Sequence, residues 1–139
     1  MPNSTTVSLS AEDEAAVRDV PQRIIAAWAA HDADAFAATF AEDGSMILPG
    51  LARHGREEIR GFMAQAFAGP YQGTRVTGTP TAMKVLADDV VLVLTEGGVL
   101  APGQTELSAE RAVRASWLLV KQEGQWLLTA YQNSPANPA

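Results

Sequence analysis

The stretch RAVRASWLLVKQEGQWLLTAYQN, residues 111–133, decides the fold of this chain. It contains two runs rich in β-branched and large apolar residues, Arg111–Lys121 and Gln125–Asn133, with a turn signal at Glu123-Gly124 between them. Two such runs joined by a short turn predict an antiparallel β-hairpin. We therefore expect the chain to end in a sheet.

Two runs upstream of this hairpin have the same composition, Gly73–Met83 and Val90–Leu100. Asp88 and Asp89 mark the turn between them, and the loop Ala101–Ser108 leads from the second run to the hairpin. Successive strands with short connections predict an antiparallel, meander-like sheet.

The beginning of the chain has the 3.6-residue period of an amphipathic helix. A long helix is expected from about Ser10 to Ala30, with Ser10 as its cap and acidic residues at the positive end of its dipole. Pro21 lies inside this stretch and predicts a kink or a restart of the helix.

Two shorter helices follow the long one. Asp32 or Asp34 caps the first, which is expected to extend through Phe40 and to end at a turn over residues 42–44. The second is expected over residues 56–67. Helices first and a long sheet afterwards predict an α+β layer fold.

The length of 139 residues and the hydrophobic fraction of 47% fit one domain with one core. We expect this domain to span residues 10–133. The two ends, residues 1–9 and residues 134–139, are rich in Ser, Pro and Asn and are expected to be flexible.

Composition argues against several classes of protein. No apolar run approaches the roughly 18 residues of a membrane span, and the polar, acidic start differs from a secretory signal. The absence of cysteine excludes disulfides and thiolate metal sites, so the cytoplasm is the expected location. A net charge of −6 without a cluster of Lys and Arg argues against a nucleic-acid partner. With no metal-ligand spacing and no nucleotide fingerprint, neither a metal nor a cofactor is expected.

The strand Arg111–Lys121 is largely apolar on both faces, which predicts assembly. Alternation places on one face Val113, Ala115, Trp117 and Leu119. Because three short helices can cover only one face of a sheet, we expect the face around Trp117 to be open and buried in a homodimer. Coverage of Trp117 by the N-terminal segment of the same chain is the alternative.

Three segments in order carry a family resemblance: AAWAAHDADAFAATFAEDG at residues 26–44, LPGLARHGREEIRGFM at residues 48–63 and RASWLLVKQEGQWLLTAYQNSP at residues 114–135. Together they resemble the nuclear-transport-factor-2-like (SnoaL-like) superfamily. The ending resembles the SgcJ/EcaC-type subgroup, whose members occur in natural-product gene clusters, including those for enediyne polyketides.

The resemblance implies a cystatin-like roll, in which a curved antiparallel sheet wraps around a long N-terminal helix, with two further short helices, to form a cone with an apolar cavity. If that fold applies, strand alternation and the apolar segments nominate the residues that line the cavity and bind a ligand. These are Trp28, Met46, Leu48, Phe62, Tyr71, Arg114, Ser116, Tyr131 and Asn133, with Thr129 on the same predicted face as the last two.

The best-understood reaction on this fold, ketosteroid isomerisation, needs a carboxylate base with a Tyr and a protonated Asp as oxyanion donors. Matching by motif places Ile24, Leu48 and Ser116 at those three positions. Since Ile and Leu can neither exchange a proton nor donate a hydrogen bond, that chemistry is not expected here.

Two other residues are candidates for acid/base catalysis. Glu96 lies in an apolar strand, where a carboxylate facing the cavity would have a raised pKa; pairing with Arg111 or Arg114, or exposure to water, is the alternative. His54 follows a Gly-rich loop at the expected rim of the cavity, where a structural role is the alternative.

Three functions remain open from the sequence. The first is binding of a largely apolar, polyketide-derived molecule as an accessory protein of natural-product biosynthesis. The second is a pocket enzyme, a cyclase, dehydratase or isomerase that uses Glu96 or His54 with Tyr131. The third is a non-catalytic dimeric interaction module whose cavity is filled by its own side chains.

Overall fold

A computed structural model describes residues 8–137, so the first seven and the last two residues of the predicted flexible ends lie outside the described residues. The described part contains three helices, α1 Ala11–Ala29, α2 Ala33–Ala38 and α3 Arg56–Ala68. Its six strands are β1 Phe40–Leu48, β2 Leu51–His54, β3 Arg75–Ala87, β4 Val90–Leu100, β5 Ala112–Gln122 and β6 Gln125–Pro135. The predicted α+β fold with a long N-terminal helix is confirmed.

The six strands form one curved sheet in the order β2-β1-β6-β5-β4-β3. Strands β3 to β6 make the predicted antiparallel meander. The sequence did not predict the pairing of β1 with β6, which is parallel, or the short edge strand β2, which pairs with β1. Parallel neighbours need a crossover, and here the entire chain from β2 to β5 lies between the two strands. The last strand therefore lies inside the sheet.

Helix α1 begins where the sequence predicts, because the Ser10 hydroxyl accepts a hydrogen bond of 3.0 Å from the backbone N–H of Asp13. The sequence predicted a kink or a restart at Pro21; the restart is wrong, since the helix continues through that residue. A proline inside a helix costs about 3 kcal/mol. Burial of the apolar stripe around it, which includes Val20 and Ile24, offsets that cost.

The region after α2 differs from the prediction. The helix ends at Ala38, and Phe40 already begins β1, so neither a helix through Phe40 nor a separate turn over residues 42–44 exists. The backbone N–H of Leu128 donates to the carbonyl oxygen of Thr39, and the register with β6 shifts between Phe40 and Ser45. An irregular strand pairs with β6 here and overrides the local turn signal.

The C-terminal boundary also lies further along the chain than expected. Strand β6 continues through Pro135, which pairs with Val113. Beyond it, the backbone N–H of Ala136 donates to the carbonyl oxygen of Ala112, and the Asn137 side chain donates to that of Ala109. The described residues of the predicted flexible tail are therefore held against the start of β5.

The three helices cover one face of the sheet, and the core lies between them and that face. An aromatic group fills the helical side, where the ring of Trp28 packs edge-on against Phe36 and Phe67 at centroid distances of 6.1 and 5.5 Å. On the sheet side, Trp117 and Leu119 are buried. No helix in the described part of the chain is long and apolar enough to cross a membrane.

The predicted exposure of the two faces of β5 is inverted. Ala115, Trp117 and Leu119 are buried against the helices, and Val113 is half-buried on the same face. The indole Nε1 of Trp117 donates to Oγ1 of Thr95 over 2.9 Å. Alternation identifies residues that share a face, but the face that the helices cover depends on the register with β4 and β6. The residues predicted for an open dimer surface therefore belong to the core.

Candidate functional site

A cavity of about 200 Å³ lies between α1 and the core face of the sheet. The helices contribute Pro21, Ile24, Ile25, Trp28, Phe36 and Met63 to its wall. The strands contribute Phe40, Met46, Leu48, Val76, Gly78, Val99, Val113, Trp117, Leu128, Tyr131 and Asn133, and the loops add Pro49 and Tyr71. Because an apolar cavity of about 150 Å³ already binds benzene, this cavity has room for a molecule of one to two small rings.

The wall residues Trp28 and Tyr71 are fixed by aromatic packing and hydrogen bonds. The ring of Trp28 lies 4.7 Å from the ring of Tyr71, and its Nε1 donates to Oγ1 of Thr74 over 2.9 Å. Thr74 in turn donates to the carbonyl oxygen of Tyr71 over 2.6 Å. Since the only polar atom of Trp28 is already bonded, this part of the wall presents an apolar surface to a ligand.

Strand β6 supplies two polar side chains of the wall, Tyr131 and Asn133. Nδ2 of Asn133 donates to the hydroxyl oxygen of Tyr131 over 3.0 Å. Burial raises the pKa of Tyr131 above its usual value, so the phenol keeps its proton at neutral pH. Oδ1 of Asn133 is buried and has no hydrogen-bond partner in the described part of the chain.

A β-bulge in β6 brings these groups to the cavity. Leu118 pairs with Ala130 and Leu119 pairs with Leu128, which leaves Thr129 as an extra residue. Strict alternation would place Leu128 and Tyr131 on opposite faces, but the bulge lets both line the cavity. Thr129, which the sequence predicted to face the cavity with Tyr131, is not part of its wall.

Six of the nine residues predicted to bind a ligand lie in the cavity wall: Trp28, Met46, Leu48, Tyr71, Tyr131 and Asn133. Phe62 lies just outside it, edge-on to Tyr71 at 6.4 Å, with the guanidinium of Arg53 above its ring at 5.2 Å. Phe62 therefore supports the wall through Tyr71.

The prediction that Arg114 and Ser116 face the cavity is wrong, because both are exposed on the sheet face opposite the helices. Glu96 lies beside them, with Oε2 at 3.7 Å from Nε of Arg114, and the three line a shallow surface groove. With 56% of its side chain exposed, Glu96 does not face the cavity as the catalytic hypothesis requires. Glu96 instead forms a cross-strand pair with Arg114, which was the alternative for this residue.

His54 also lies outside the cavity wall. Its exposed ring is 3.1 Å from the hydroxyl of Ser45 through Nδ1, and its backbone N–H donates to Glu58. The first contact joins β2 to β1 and the second joins the end of β2 to the start of α3, which is a structural role. Among residues 8–137, no three His, Cys, Asp or Glu side chains lie close enough together to hold a metal ion.

A second hollow marks the mouth of the cavity. It shares Pro49, Tyr71, Val99 and Val113 with the cavity and extends to the surface at Arg111. Val99 and Val113 were not among the wall residues predicted from the sequence. Alternation in β4 and β5 would have identified them if the inward face of β5 had been assigned correctly.

The sequence matches one family model, described as a SnoaL-like domain, over residues 17–138. That range includes every residue of the cavity wall. No curated protein matches the sequence.

Solved structures agree with the fold. A domain of unknown function with a cystatin-like fold from Nostoc punctiforme is 31% identical, with 93% of this chain and 80% of that chain covered and a TM-score of 0.86. A second cystatin-like protein of that organism is 20% identical, with 95% and 98% of the two chains covered and a TM-score of 0.79. An NTF2-like protein from Novosphingobium aromaticivorans is 18% identical, with 92% and 84% covered and a TM-score of 0.79.

Proposed function

The chain belongs to the SnoaL-like family, and on that premise we propose that it binds a largely apolar small molecule in the cavity between α1 and the sheet. The observation that carries this proposal is the chemistry of the wall. Its side chains are apolar except at the neutral pair Tyr131 and Asn133 and at the phenol of Tyr71. A mostly apolar cavity with a few convergent polar groups is typical of small-molecule sites.

Binding without acid/base catalysis is favoured over a pocket enzyme. Among the described residues, no Asp, Glu, His, Lys or Arg lines the cavity. The phenol of Tyr131 holds its proton more strongly than a free phenol, which makes it a hydrogen-bond donor and a poor general base. The wall can shield a reactive molecule from water and hold it in one conformation.

The ligand is proposed to be polyketide-derived, and the protein to act as an accessory of natural-product biosynthesis. This part of the proposal rests on the resemblance of residues 114–135 to the SgcJ/EcaC-type subgroup. In its most specific form, the proposal is that the pathway makes an enediyne. The cavity of about 200 Å³ restricts the enclosed part of such a ligand to one or two small rings. A longer molecule would extend through the mouth beside Arg111.

A purely structural interaction module is less well supported, because the protein's own side chains leave the cavity unfilled.

Assembly is still proposed, through the face opposite the helices. That face carries half-buried apolar side chains on adjacent strands, Leu92, Leu94, Leu118 and Val120. A homodimer would bury them. Sedimentation should then show a dimer, and Leu118→Lys should give a monomer; a wild-type monomer at high concentration would contradict the assembly.

Calorimetry with a matched pair of variants tests the ligand site. Val76 lines the cavity, whereas Thr77 is exposed on the opposite face of β3. We expect a panel of one- and two-ring apolar molecules to bind the wild type and Thr77→Trp, and not Val76→Trp, in which the indole fills the cavity. Equal binding by both variants would place the ligand elsewhere.

Mass spectrometry of the same samples distinguishes binding from catalysis. Recovery of the ligand unchanged supports a binding role. Conversion to a new mass or isomer would make the protein an enzyme, and Glu96→Gln and His54→Gln would then show whether the two residues predicted from the sequence take part.

A further inference from the structure

The polar end of the cavity contains one unused acceptor and one unused donor, side by side. The acceptor is Oδ1 of Asn133, which is buried and unpaired within residues 8–137. The donor is the hydroxyl proton of Tyr131, because the oxygen of that hydroxyl accepts from Asn133 and the described residues offer its proton no acceptor. Buried polar groups in proteins are almost always paired, so an unpaired oxygen on a side chain of the cavity wall indicates a missing partner, which is either a ligand group or an ordered water.

We infer that this pair binds a hydroxyl group of the ligand, so that the bound molecule is an uncharged alcohol or phenol on an apolar ring system. The ligand O–H donates to Oδ1 of Asn133, and the ligand oxygen accepts from the hydroxyl of Tyr131. The inference rests on the proposed function, since it requires that the cavity be a ligand site.

Other polar groups satisfy this pair less well. A ketone or an ether only accepts and would leave the acceptor unpaired. A carboxylate would place its charge beside Oδ1 of Asn133, and an ammonium group would find no carboxylate, since the described wall contains no charged side chain. A hydroxyl group both donates and accepts, and it therefore satisfies both members of the pair.

The orientation of the Asn133 amide does not change this result. With oxygen and nitrogen exchanged, the phenol would donate to Oδ1, and the free groups would be the amide N–H and the phenol oxygen. That arrangement again offers one donor and one acceptor. The raised pKa of Tyr131 keeps the phenol protonated across the neutral range in either case.

Three ligands with the same indane ring frame test the inference: indane, indan-5-ol and 5-methoxyindane, titrated into the protein by calorimetry. We expect the wild type to bind indan-5-ol about tenfold more tightly than either analogue, which is the effect of about one satisfied hydrogen bond. Asn133→Leu should bring the ratio of affinities near one. Gln132→Leu, at the neighbouring exposed position on the opposite face, should keep the ratio.

The outcomes separate this inference from the proposed function. Equal affinity of the wild type for all three molecules would overturn the hydroxyl assignment and leave apolar binding intact, as would a tighter complex with the ether. Binding of none of them would overturn both. Because the first comparison uses only the wild type, it does not depend on the folding of Asn133→Leu.

Discussion

Trp28 on α1 and Thr74, which directly precedes β3, are joined by a buried hydrogen bond of 2.9 Å between the indole Nε1 and Oγ1. The residues are 46 positions apart, so this bond connects the helix to the sheet beside the cavity. It also fixes the tryptophan ring against Tyr71 in the wall.

Thr74→Val should therefore destabilise the protein by about 1–2 kcal/mol, because it leaves the buried indole N–H of Trp28 without a partner. Urea denaturation followed by circular dichroism measures the change in the free energy of unfolding. Thr77→Val is the control, since Thr77 is exposed on β3 and the same substitution there should change little. Equal effects at the two positions would contradict a structural role for the Trp28–Thr74 bond.

The ionisation of Asp13 should make the stability of the protein depend on pH in the acid range. A hydrogen bond from the indole of Trp126 lowers the pKa of this carboxyl, and the Lys121 ammonium at 3.0 Å lowers it further. Because the pKa is lower in the folded protein, the stabilisation is present above the unfolded value of roughly 4 and is lost as the pH falls through the folded value.

Asp13→Asn should accordingly be less stable than the wild type at neutral pH, and the difference should shrink as the pH falls below about 4. Chemical denaturation at a series of pH values measures it. Asp88→Asn, in the exposed turn between β3 and β4, is the matched control. A difference for Asp13→Asn that stays constant down to pH 2 would contradict the assigned contacts.

The stability of the protein at alkaline pH should depend on the burial of the two tyrosines in the cavity wall. Burial raises the pKa of both Tyr71 and Tyr131, and these are the two tyrosines of the chain. The unfolded chain loses these protons first, near pH 10, so stability should fall as the pH rises above that value. Absorbance titration near 295 nm should show both phenols ionising late, and Tyr131→Phe should remove one of the two steps. Titration of both groups at the value found in urea would show that the wall is open to water.

The paired glycines of β3 and β4 should tolerate alanine differently. Gly78 and Gly97 face each other across the strands. A Cβ at position 97 would collide with the backbone carbonyl of Thr77, whereas one at position 78 would meet nothing within 4 Å. Gly97→Ala should cost about 2 kcal/mol and Gly78→Ala less than about 0.5 kcal/mol, as measured by thermal and urea unfolding. The reverse order would contradict the close approach of the two strands.

Structural features that depend on residues close together in the chain could be predicted from the sequence. The Ser10 cap and the bounds Val90–Leu100 of β4 are confirmed, because capping groups and runs of β-branched residues act locally. The parallel pairing of β1 with β6 could not be predicted, since it joins distant parts of the chain. The same holds for the covered face of β5, where pairing with both neighbours directs Trp117 inward.

The candidate site was predictable in part for the same reason. Large apolar side chains such as those of Trp28 and Met46 favour burial by their own chemistry, and the wall contains both. The sequence placed Glu96 and His54 near the cavity because a titratable residue in an apolar context suggests catalysis, but the sheet turns Glu96 outward. The placement of the unpaired oxygen of Asn133 depends on the one-residue bulge at Thr129. No turn or glycine signal marks that bulge in the sequence.

The position of β6 between β1 and β5 has a consequence for synthesis of the protein. Until the ribosome has released the last strand, the nascent chain contains two separate pieces of sheet, β2-β1 and β5-β4-β3, with no hydrogen bonds between them. Until β6 is available, the inner face of β5 and the apolar stripe of α1 lack the strand that completes the core between them. The decisive step of folding thus follows the synthesis of β6, and a premature stop codon before Gln125 would yield an aggregation-prone fragment with unpaired edges in place of a shortened but working domain.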